Sequence, residues 1–298
     1  MKIGITIVTY ERPEKLLRLV LDRIFRLSGN VSVVIVSNSE SEDAKNREES
    51  LQKEFPFTLL RNKSLFVLTA RNKGTLHQFD SCDYFVEMDD DMIVTPGWLE
   101  RIITVMEKDE AIGIAVPLLN FSQVIWYKGQ VVALPPEINK NLEAIALEKD
   151  YNTDLLDSFW QRIFASKNST YQEIKAAPEI SLQVKSKKAI EAGCLWDENL
   201  DGACVEVNAV LARRIREAGM KVVVVKNSFV FHLQTSTHAA TMRQGDLGGK
   251  LHGDNCQYIA EKFGSMENIY DFKIPEEVEV FTLNWELYQK HSEDNLRD

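Results

Sequence analysis

Short apolar runs rich in β-branched residues alternate along the chain with segments whose apolar residues recur at helical spacing. The apolar runs occupy residues 3–9, 31–36, 57–60, 84–88 and 112–119. The helical segments between them occupy residues 13–25, 42–54, 67–79 and 96–106. Strands that alternate with helices in this way favour a parallel sheet with helices on both faces. The sequence therefore predicts an α/β fold built on a mostly parallel sheet flanked by helices.

Polar residues follow three of these runs at the point where each run ends. They are residues 9–11, 37–39 and 89–91. In a parallel sheet, ligands bind outside the carboxyl ends of the strands. Loops that leave the same edge of the sheet therefore indicate a shared cleft, although a surface loop can also be polar without any function.

Three consecutive aspartates, Asp89, Asp90 and Asp91, end the fourth apolar run. Adjacent like charges repel, so a fold keeps them where solvent or a cation relieves the repulsion. Asp89 and Asp91 point to the same side of an extended backbone, whereas Asp90 faces the other way. Asp89 and Asp91 could therefore share one hard cation together with a phosphate. A solvated acidic turn is the alternative.

The acidic composition limits the partners of the chain. Its 298 residues include 45 acidic and 35 basic side chains, and the net charge of -10 argues against nucleic acid or an anionic membrane as a partner. No apolar run approaches the roughly 18 residues of a membrane span. The first residues lead straight into a strand and do not resemble a secretory signal. We therefore expect a cytoplasmic protein without a transmembrane segment.

The second half of the chain is less regular. Residues 124–134 indicate two short strands, and residues 140–175 indicate an insertion over the sheet whose aromatic residues belong to the core. The remaining elements are a strand at 180–184, an acidic loop at 197–202, a helix at 206–218, strands at 222–225 and 229–231, a glycine-rich loop at 239–250 and a helix at 255–263. His232 directly follows the last strand.

In this order, the motifs resemble those of the family 2 glycosyltransferases. The matching segments are residues 8–13, 70–74, 89–91, 96–99, 196–198, 206–219 and 255–264. The resemblance implies a GT-A fold over residues 1–265, with a nucleotide-sugar-binding half at 1–119 and an acceptor-side half at 120–265. Residues 266–298 would form a helical C-terminal extension.

The resemblance also implies a divalent cation, Mn²⁺ or Mg²⁺, and a nucleotide-diphosphate sugar, UDP-linked, as the donor. Asp91 would bind the cation, Asp89 would bind the cation or the ribose, and Asp90 is counted with the nucleotide-binding residues. His232 is a further candidate metal ligand, ahead of His238. A histidine near a strand end is equally often an ordinary polar residue.

Other residues take roles around the donor. Arg71 would contact a phosphate or orient the aspartates, with a salt bridge on a helix face as the alternative. Thr9, Glu11 and Asn38 would line the nucleoside pocket, although ordinary loop polarity explains each of them nearly as well. The glycine-rich loop would close over the donor and exclude water.

Inversion at the anomeric carbon takes one carboxylate as general base near the acceptor. Glu206 is the first candidate, Asp201 the second and Asp197 the third. Carboxylates at the start of a helix are also common because they stabilise the helix dipole, which is the alternative explanation for Glu206.

Two departures from the family pattern keep other functions open. Residues 37–39 read Ser-Asn-Ser, where many members have an acidic residue, and residues 205–208 lack the Glu-Asp pair that often begins the acceptor helix. A non-catalytic nucleotide- or sugar-binding module is therefore one alternative. A nucleotidyltransferase is another, but it would carry a glycine-rich loop after the first strand, and residues 9–13 contain no glycine. The leading hypothesis is an inverting glycosyltransferase of polysaccharide assembly with a carbohydrate, lipid-linked or protein acceptor.

Overall fold

The first half of the sheet is parallel, as the alternating pattern predicts. In the computed structural model its strands are β1 (Ile3–Thr9), β2 (Val31–Ser37), β3 (Phe57–Arg61) and β4 (Tyr84–Asp89), in the order β3-β2-β1-β4. Every residue of β1 is buried, as expected for a central strand covered on both faces. The structure describes residues 1–63, 66–121, 124–127, 130–163, 170–174, 181–200, 205–233 and 247–265.

Helices alternate with these strands along the chain and cover the sheet. They are α1 (Glu14–Leu27), α2 (Glu42–Glu54), α3 (Val67–Gln78) and α4 (Trp98–Lys108). The start of α1 directly after Pro13 reflects the fixed backbone of proline, which suits the entry to a helix. Its apolar residues recur at helical spacing and are buried, namely Leu16, Leu17, Val20, Leu21 and Ile24.

The second half of the sheet is mixed. Strand β6 (Ile112–Phe121) runs parallel to β11 (Lys221–His232), while β10 (Leu182–Ser186) lies antiparallel between β4 and β6. The short strand β5 (Met92–Val94) pairs antiparallel with the end of β11. The sequence predicted two strands where the structure has β11 alone. The irregular register between Val225 and Phe229 explains the difference, because a bulge interrupts the apolar pattern without ending the strand.

The remaining strands extend this sheet, and the remaining helices lie around it. They are β7 (Val124–Tyr127), β8 (Gln130–Ala133), α5 (Pro136–Ala146), α6 (Thr153–Ile163), β9 (Tyr171–Glu173), α7 (Lys187–Glu191), α8 (Val205–Glu217) and α9 (Leu247–Phe263). Helix α9 begins eight residues before the predicted helix. Gly248 and Gly249 had indicated a loop there, because glycine is unfavourable inside helices.

The insertion contributes aromatic side chains to the core, as predicted. Trp160 of α6 stacks on Phe229 with ring centroids 5.3 Å apart, and Phe159 lies 6.3 Å from Phe231. An ion pair between the fully buried Arg23 of α1 and Asp157 of α6 joins the insertion to the first helix. Among the described helices, none is long and apolar enough to cross a membrane.

Candidate active site

The three polar loops identified in the sequence meet at one edge of the sheet. The strand registers pair Thr9 with Ser37 and Val8 with Asp89, so β1, β2 and β4 end side by side. The backbone N–H of Asn38 also donates to the carbonyl of Thr9 at 2.9 Å. The register therefore confirms that the three loops leave the same edge of the sheet, which we call the rim.

Asp89, Asp91 and His232 form a cluster at this rim, which we call the Asp–Asp–His group. Each side chain offers one ligand atom, and these atoms lie within 4.8 Å of one another. Nε2 of His232 is 3.4 Å from Oδ1 of Asp91. The Asp91 side chain is 4% exposed and that of Asp89 is 28% exposed, so solvent reaches the group on the Asp89 side. Carboxylate oxygens and an imidazole nitrogen suit Mn²⁺ or another divalent ion.

Backbone pairing brings His232 to the aspartates across a long sequence separation. Strand β5 follows Asp91 directly, and its Met92 pairs with His232 of β11. The Leu233 N–H donates to the Asp91 carbonyl at 3.1 Å. The side chain of Asn120 accepts from the His232 N–H at 2.7 Å and donates to its carbonyl at 3.0 Å. Sequence reasoning missed Asn120, because its importance depends on the register between β6 and β11.

Desolvation and like charge act together on the aspartates. Partial desolvation raises the pKa of Asp89, and neighbouring Asp91 raises it further, against the lowering effect of Arg71. A cation bound at the group would relieve both unfavourable effects, because it stabilises the charged carboxylates.

Asp90 faces away from this group, as its place in an extended backbone predicts. It is 3% exposed and accepts hydrogen bonds from Thr9 Oγ1 at 2.5 Å and from Arg12. Thr9 is itself buried. Through these contacts, Asp90 and Thr9 hold the loop after β1 in place, and their predicted contacts with the nucleotide stay predictions.

Glu11 joins the first loop to the second. Its backbone has a positive φ of 50°, and its carboxylate accepts from the N–H groups of Glu40 and Ser41, each at 2.8 Å, and from the Ser41 hydroxyl. Desolvation favours the neutral acid, but the hydrogen bonds from Ser41 and Glu40 keep the pKa of Glu11 below its ordinary value. Asn38 lies beside this junction, is 3% exposed, and accepts from Asn62 Nδ2 at 2.9 Å.

Residues 37–39, the loop after β2, contain no acidic residue, but a carboxylate from α2 lies against this loop. Glu48 is 2% exposed and accepts from the hydroxyls of Ser37 at 2.9 Å and Ser39 at 2.7 Å. Arg61 forms an ion pair with the same carboxylate. Glu48 was not singled out in the sequence, because a glutamate in a charged helix resembles a solvated surface residue.

Arg71 contacts an aspartate, as one of its two predicted roles requires. Its guanidinium is fully buried, donates to Asp89 Oδ1 at 2.5 Å and lies 5.6 Å from the ring centre of Trp196. The neighbouring Asn72 holds the Trp196 backbone, accepting from its N–H and donating to its carbonyl, both at 3.0 Å. Helix α3 thus fixes both an aspartate of the site and the loop after α7.

Asp197, the third candidate base, is surrounded by hydrogen-bond donors. It accepts from Lys262 at 2.6 Å, Arg214 at 2.7 Å and Tyr258 at 3.0 Å, and also from Asn199. Desolvation opposes ionisation here, but the hydrogen bonds from Lys262 and Asn199 and the charge of Arg214 lower the pKa of Asp197 to about 2. A carboxylate with this pKa is a weak base, so its contacts argue for a structural role.

The first two candidate bases, Glu206 and Asp201, lie outside the part of the chain whose side chains the structure describes. Glu206 lies in the first turn of α8, but its side chain is outside the described residues. Asp201 and His238 are outside them as well, as is the glycine-rich loop up to residue 246. Their roles stay predictions.

The family follows from a sequence comparison. The profile of the family described as Glycosyl transferase family 2 matches residues 5–163, more than half of the chain. The chain belongs to this family. The matched region of this family 2 glycosyltransferase includes Arg71, Asp89 and Asp91, whereas Trp196 and His232 lie beyond it. A search of curated proteins found no match.

Solved structures of two glycosyltransferases share the fold of this chain. One is GalNAc-T7 with UDP, GalNAc and Mn²⁺, with 17% identity, a TM-score of 0.54, and coverage of 78% of this chain and 43% of that chain. Another is the mannosyltransferase PcManGT from Pyrobaculum calidifontis in complex with GDP-Man and Mn²⁺, with 14% identity, a TM-score of 0.56, and coverage of 92% and 66%. This family 2 glycosyltransferase therefore has the predicted GT-A fold, and it spans less than two thirds of the length of either relative.

Proposed function

We propose that this chain is a metal-dependent, inverting glycosyltransferase that moves a sugar from a UDP-linked donor to a hydroxyl acceptor. The observation that carries the proposal is the Asp–Asp–His group, whose ligand atoms lie within 4.8 Å of one another at the carboxyl edge of the parallel sheet. Membership of the family and the fold shared with two Mn²⁺-containing glycosyltransferase structures support it.

Asp91, Asp89 and His232 would hold Mn²⁺ or Mg²⁺. The bound cation would neutralise the diphosphate as it leaves the sugar. Arg71 keeps Asp89 oriented through its hydrogen bond. Asp90 and Arg12 fix the loop after β1 at the same edge, so the residues that face the donor are positioned before it binds.

The nucleoside would bind over the loops after β1 and β2, in the donor half at residues 1–119. The carboxylates of Glu11 and Glu48 already accept hydrogen bonds from neighbouring residues. Amide side chains such as Asn38 would therefore contact the nucleotide base. An amide both donates and accepts hydrogen bonds. It therefore suits uracil, which offers a donor and acceptors, better than the donor-rich edge of guanine, which pairs well with a carboxylate.

The acceptor half, residues 120–265, would supply the general base. We assign Glu206 to take the proton of the attacking hydroxyl, with Asp201 as the second candidate. Asp197 is less suitable, because a base works best with a pKa near the working pH and its pKa is about 2. The acceptor would be a carbohydrate, a lipid-linked sugar or a protein, in polysaccharide assembly in the cytoplasm.

The test is transfer or hydrolysis of UDP-sugars and GDP-sugars in the presence of Mn²⁺. We expect Asp91→Ala to reduce the rate by at least about 100-fold, since removing a ligand costs at least as much as removing its hydrogen-bond partners. Asp80→Ala, which removes an exposed carboxylate near the same sheet, is the matched control. Equal rates for wild type and Asp91→Ala would exclude the metal role, and nucleotide binding without turnover would favour a binding module.

A further inference from the structure

A pair of opposite charges is buried on the strands that carry the site. Glu87 and Lys185 are both 0% exposed, and Lys185 Nζ donates to the Glu87 carboxylate at 3.0 Å. Taking two ions out of water costs several kcal/mol per ion, and a well-packed apolar pair is often as stable. Stability alone therefore does not explain why the fold buries these charges.

The position of Glu87 connects it to the site. It precedes Asp89 by two residues on β4, so both side chains project from the same face of the strand. Helix α3 covers that face, and its Thr75 hydroxyl donates to Glu87 Oε1 at 2.7 Å. The ammonium group of Lys185 lies beside the same carboxylate, so Glu87 is a hydrogen-bond acceptor with a cationic partner.

Trp196 uses this acceptor. Its Nε1–H, the only donor of the indole, bonds to Glu87 Oε2 at 2.5 Å. Lys185 Nζ lies 4.7 Å from the centre of the same ring. The orientation of the ring is thus fixed by one hydrogen bond and one cation contact, both made by the buried pair.

Arg71 lies between this ring and the site. Its guanidinium is 5.6 Å from the Trp196 ring centre, and its NH2 group donates to Asp89 Oδ1 at 2.5 Å. A planar guanidinium that rests on a fixed ring has few ways to rotate. The contacts therefore run without interruption from Glu87 and Lys185 through Trp196 and Arg71 to Asp89.

We propose that Glu87, Lys185 and Trp196 are positioning residues that set the cation affinity of the Asp–Asp–His group by holding Arg71 against Asp89. The proposal rests on the proposed function, in which that group binds the cation. Residues that orient metal ligands through hydrogen bonds change metal affinity by about 10- to 100-fold. We therefore expect changes at Glu87, Lys185 and Trp196 to alter the cation affinity by a similar factor, although none of them would contact the cation.

The experiment measures Mn²⁺ affinity, alone and with UDP, from the electron paramagnetic resonance signal of free Mn²⁺. Trp196→Phe keeps a ring but removes the Nε1–H donor, and we expect Mn²⁺ to bind about tenfold more weakly. Glu87→Gln leaves Lys185 without its charge partner and can unfold the protein. The double variant Glu87→Gln with Lys185→Met removes both charges, and we expect it to fold and to bind Mn²⁺ about as weakly as Trp196→Phe.

Asp157→Asn is the matched control, because it breaks the ion pair of another fully buried side chain, Arg23, whose other hydrogen bond goes to the backbone carbonyl of Val94. We expect it to lower the melting temperature while Mn²⁺ affinity stays at the wild-type value. If the folded Trp196→Phe and double variants also bind Mn²⁺ with wild-type affinity, the pair and the ring serve only stability and the proposal is wrong.

A second readout needs no metal. In protein labelled with 5-fluorotryptophan, the ¹⁹F resonance missing from Trp196→Phe belongs to Trp196. We expect Asp89→Asn, which alters the charge that Arg71 faces, to shift that resonance. An unchanged resonance overturns the proposal whatever the metal result. A shifted resonance in a protein that binds no Mn²⁺ means that the proposed function fails while the positioning of Asp89 stands.

Discussion

At the scale of single residues, Asp197 connects the C-terminal helix to the loop after α7. Lys262 and Tyr258 reach it from α9, and Arg214 reaches it from α8. The segment at residues 255–264, one of the family-like motifs in the sequence, therefore has a structural explanation. Its tyrosine and lysine bind a carboxylate in the acceptor half of the chain.

The low pKa of Asp197 predicts how stability depends on pH. Its folded value of about 2 lies below the ordinary value of 3.8, so its stabilising effect is fully present above about pH 5 and is lost as the pH falls toward 2. We expect Asp197→Asn to lower the free energy of unfolding by roughly 2 kcal/mol at pH 7. Urea denaturation at several pH values checks this.

The difference between wild type and Asp197→Asn should shrink as the pH falls below 4, because the wild-type carboxyl then becomes neutral as well. Asp80→Asn, at an exposed position, should change stability little at any of these pH values. A difference that stays constant down to pH 3 would mean that charge is not the origin of the stabilisation.

Residues whose contacts are distant in the chain mark the limit of what the sequence could predict about the site. Asp89, Asp91 and Arg71 stand in recognisable motifs, and the structure brings them together. Glu87 and Asn120 carry no local signal, because their partners are 109 and 112 residues away in the chain. Only the register of the sheet and the packing of α3 show what they contact.

At the scale of elements, α3 buries a polar stripe where an apolar one would be usual. Arg71, Thr75 and Gln78 share one face of the helix and are all at most 2% exposed. They bond to Asp89, Glu87 and Thr6 of the sheet. The sequence predicted the helix, but a polar buried face cannot be distinguished from a solvated one by periodicity.

Gly74 allows α3 to approach the sheet closely. A Cβ built at this position would lie 2.2 Å from Cγ2 of Thr6, a distance that real atoms do not adopt. We expect Gly74→Ala to destabilise the protein by about 1–3 kcal/mol, despite the better helix propensity of alanine, because the helix must move away from β1. Thermal and urea denaturation measure the change.

Thr6→Ala, which removes the atoms that clash, provides the control for this prediction. The double variant should be less destabilised than the sum of the two single variants, as residues in direct contact couple. If the losses in free energy of unfolding are additive, the destabilisation by Gly74→Ala does not arise from a clash with Thr6.

The elements that the sequence predicted best are those whose partners are near in the chain. Strands β1 to β4 and the helices between them follow the order of the sequence, and their parallel pairing was predicted. The antiparallel position of β10 between β4 and β6 was not, because it depends on a strand about a hundred residues after β4. The short β5 escaped recognition for a similar reason, since its partner is the end of β11.

At the scale of the whole molecule, the candidate site is shared between both proposed halves of the chain. Asp89 and Asp91 belong to the donor half, whereas Trp196 and His232 come from the acceptor half. The two halves also form one continuous sheet, since β10 of the second half pairs with β4 of the first. Metal and nucleotide binding should therefore stabilise the molecule as a unit.

This arrangement predicts a cation-dependent thermal shift. With UDP and Mn²⁺ at about 100 times their dissociation constants, we expect the melting temperature to rise by about 5 °C. The rise should be smaller with GDP and should disappear with a chelator. Differential scanning fluorimetry measures all three conditions, and Asp91→Ala is expected to give no rise with UDP whether or not Mn²⁺ is present. An equal rise with and without Mn²⁺ would contradict a bridging cation.

The position of β10 has a consequence for how the protein is made. During synthesis, β1 to β4 leave the ribosome long before residues 182–186, so the edge of β4 that β10 later covers stays open meanwhile. An uncovered strand edge can pair with other chains, which makes this interval the one most prone to aggregation. The Asp–Asp–His group is incomplete until His232 has been synthesised, so a truncated nascent chain cannot assemble this three-residue group.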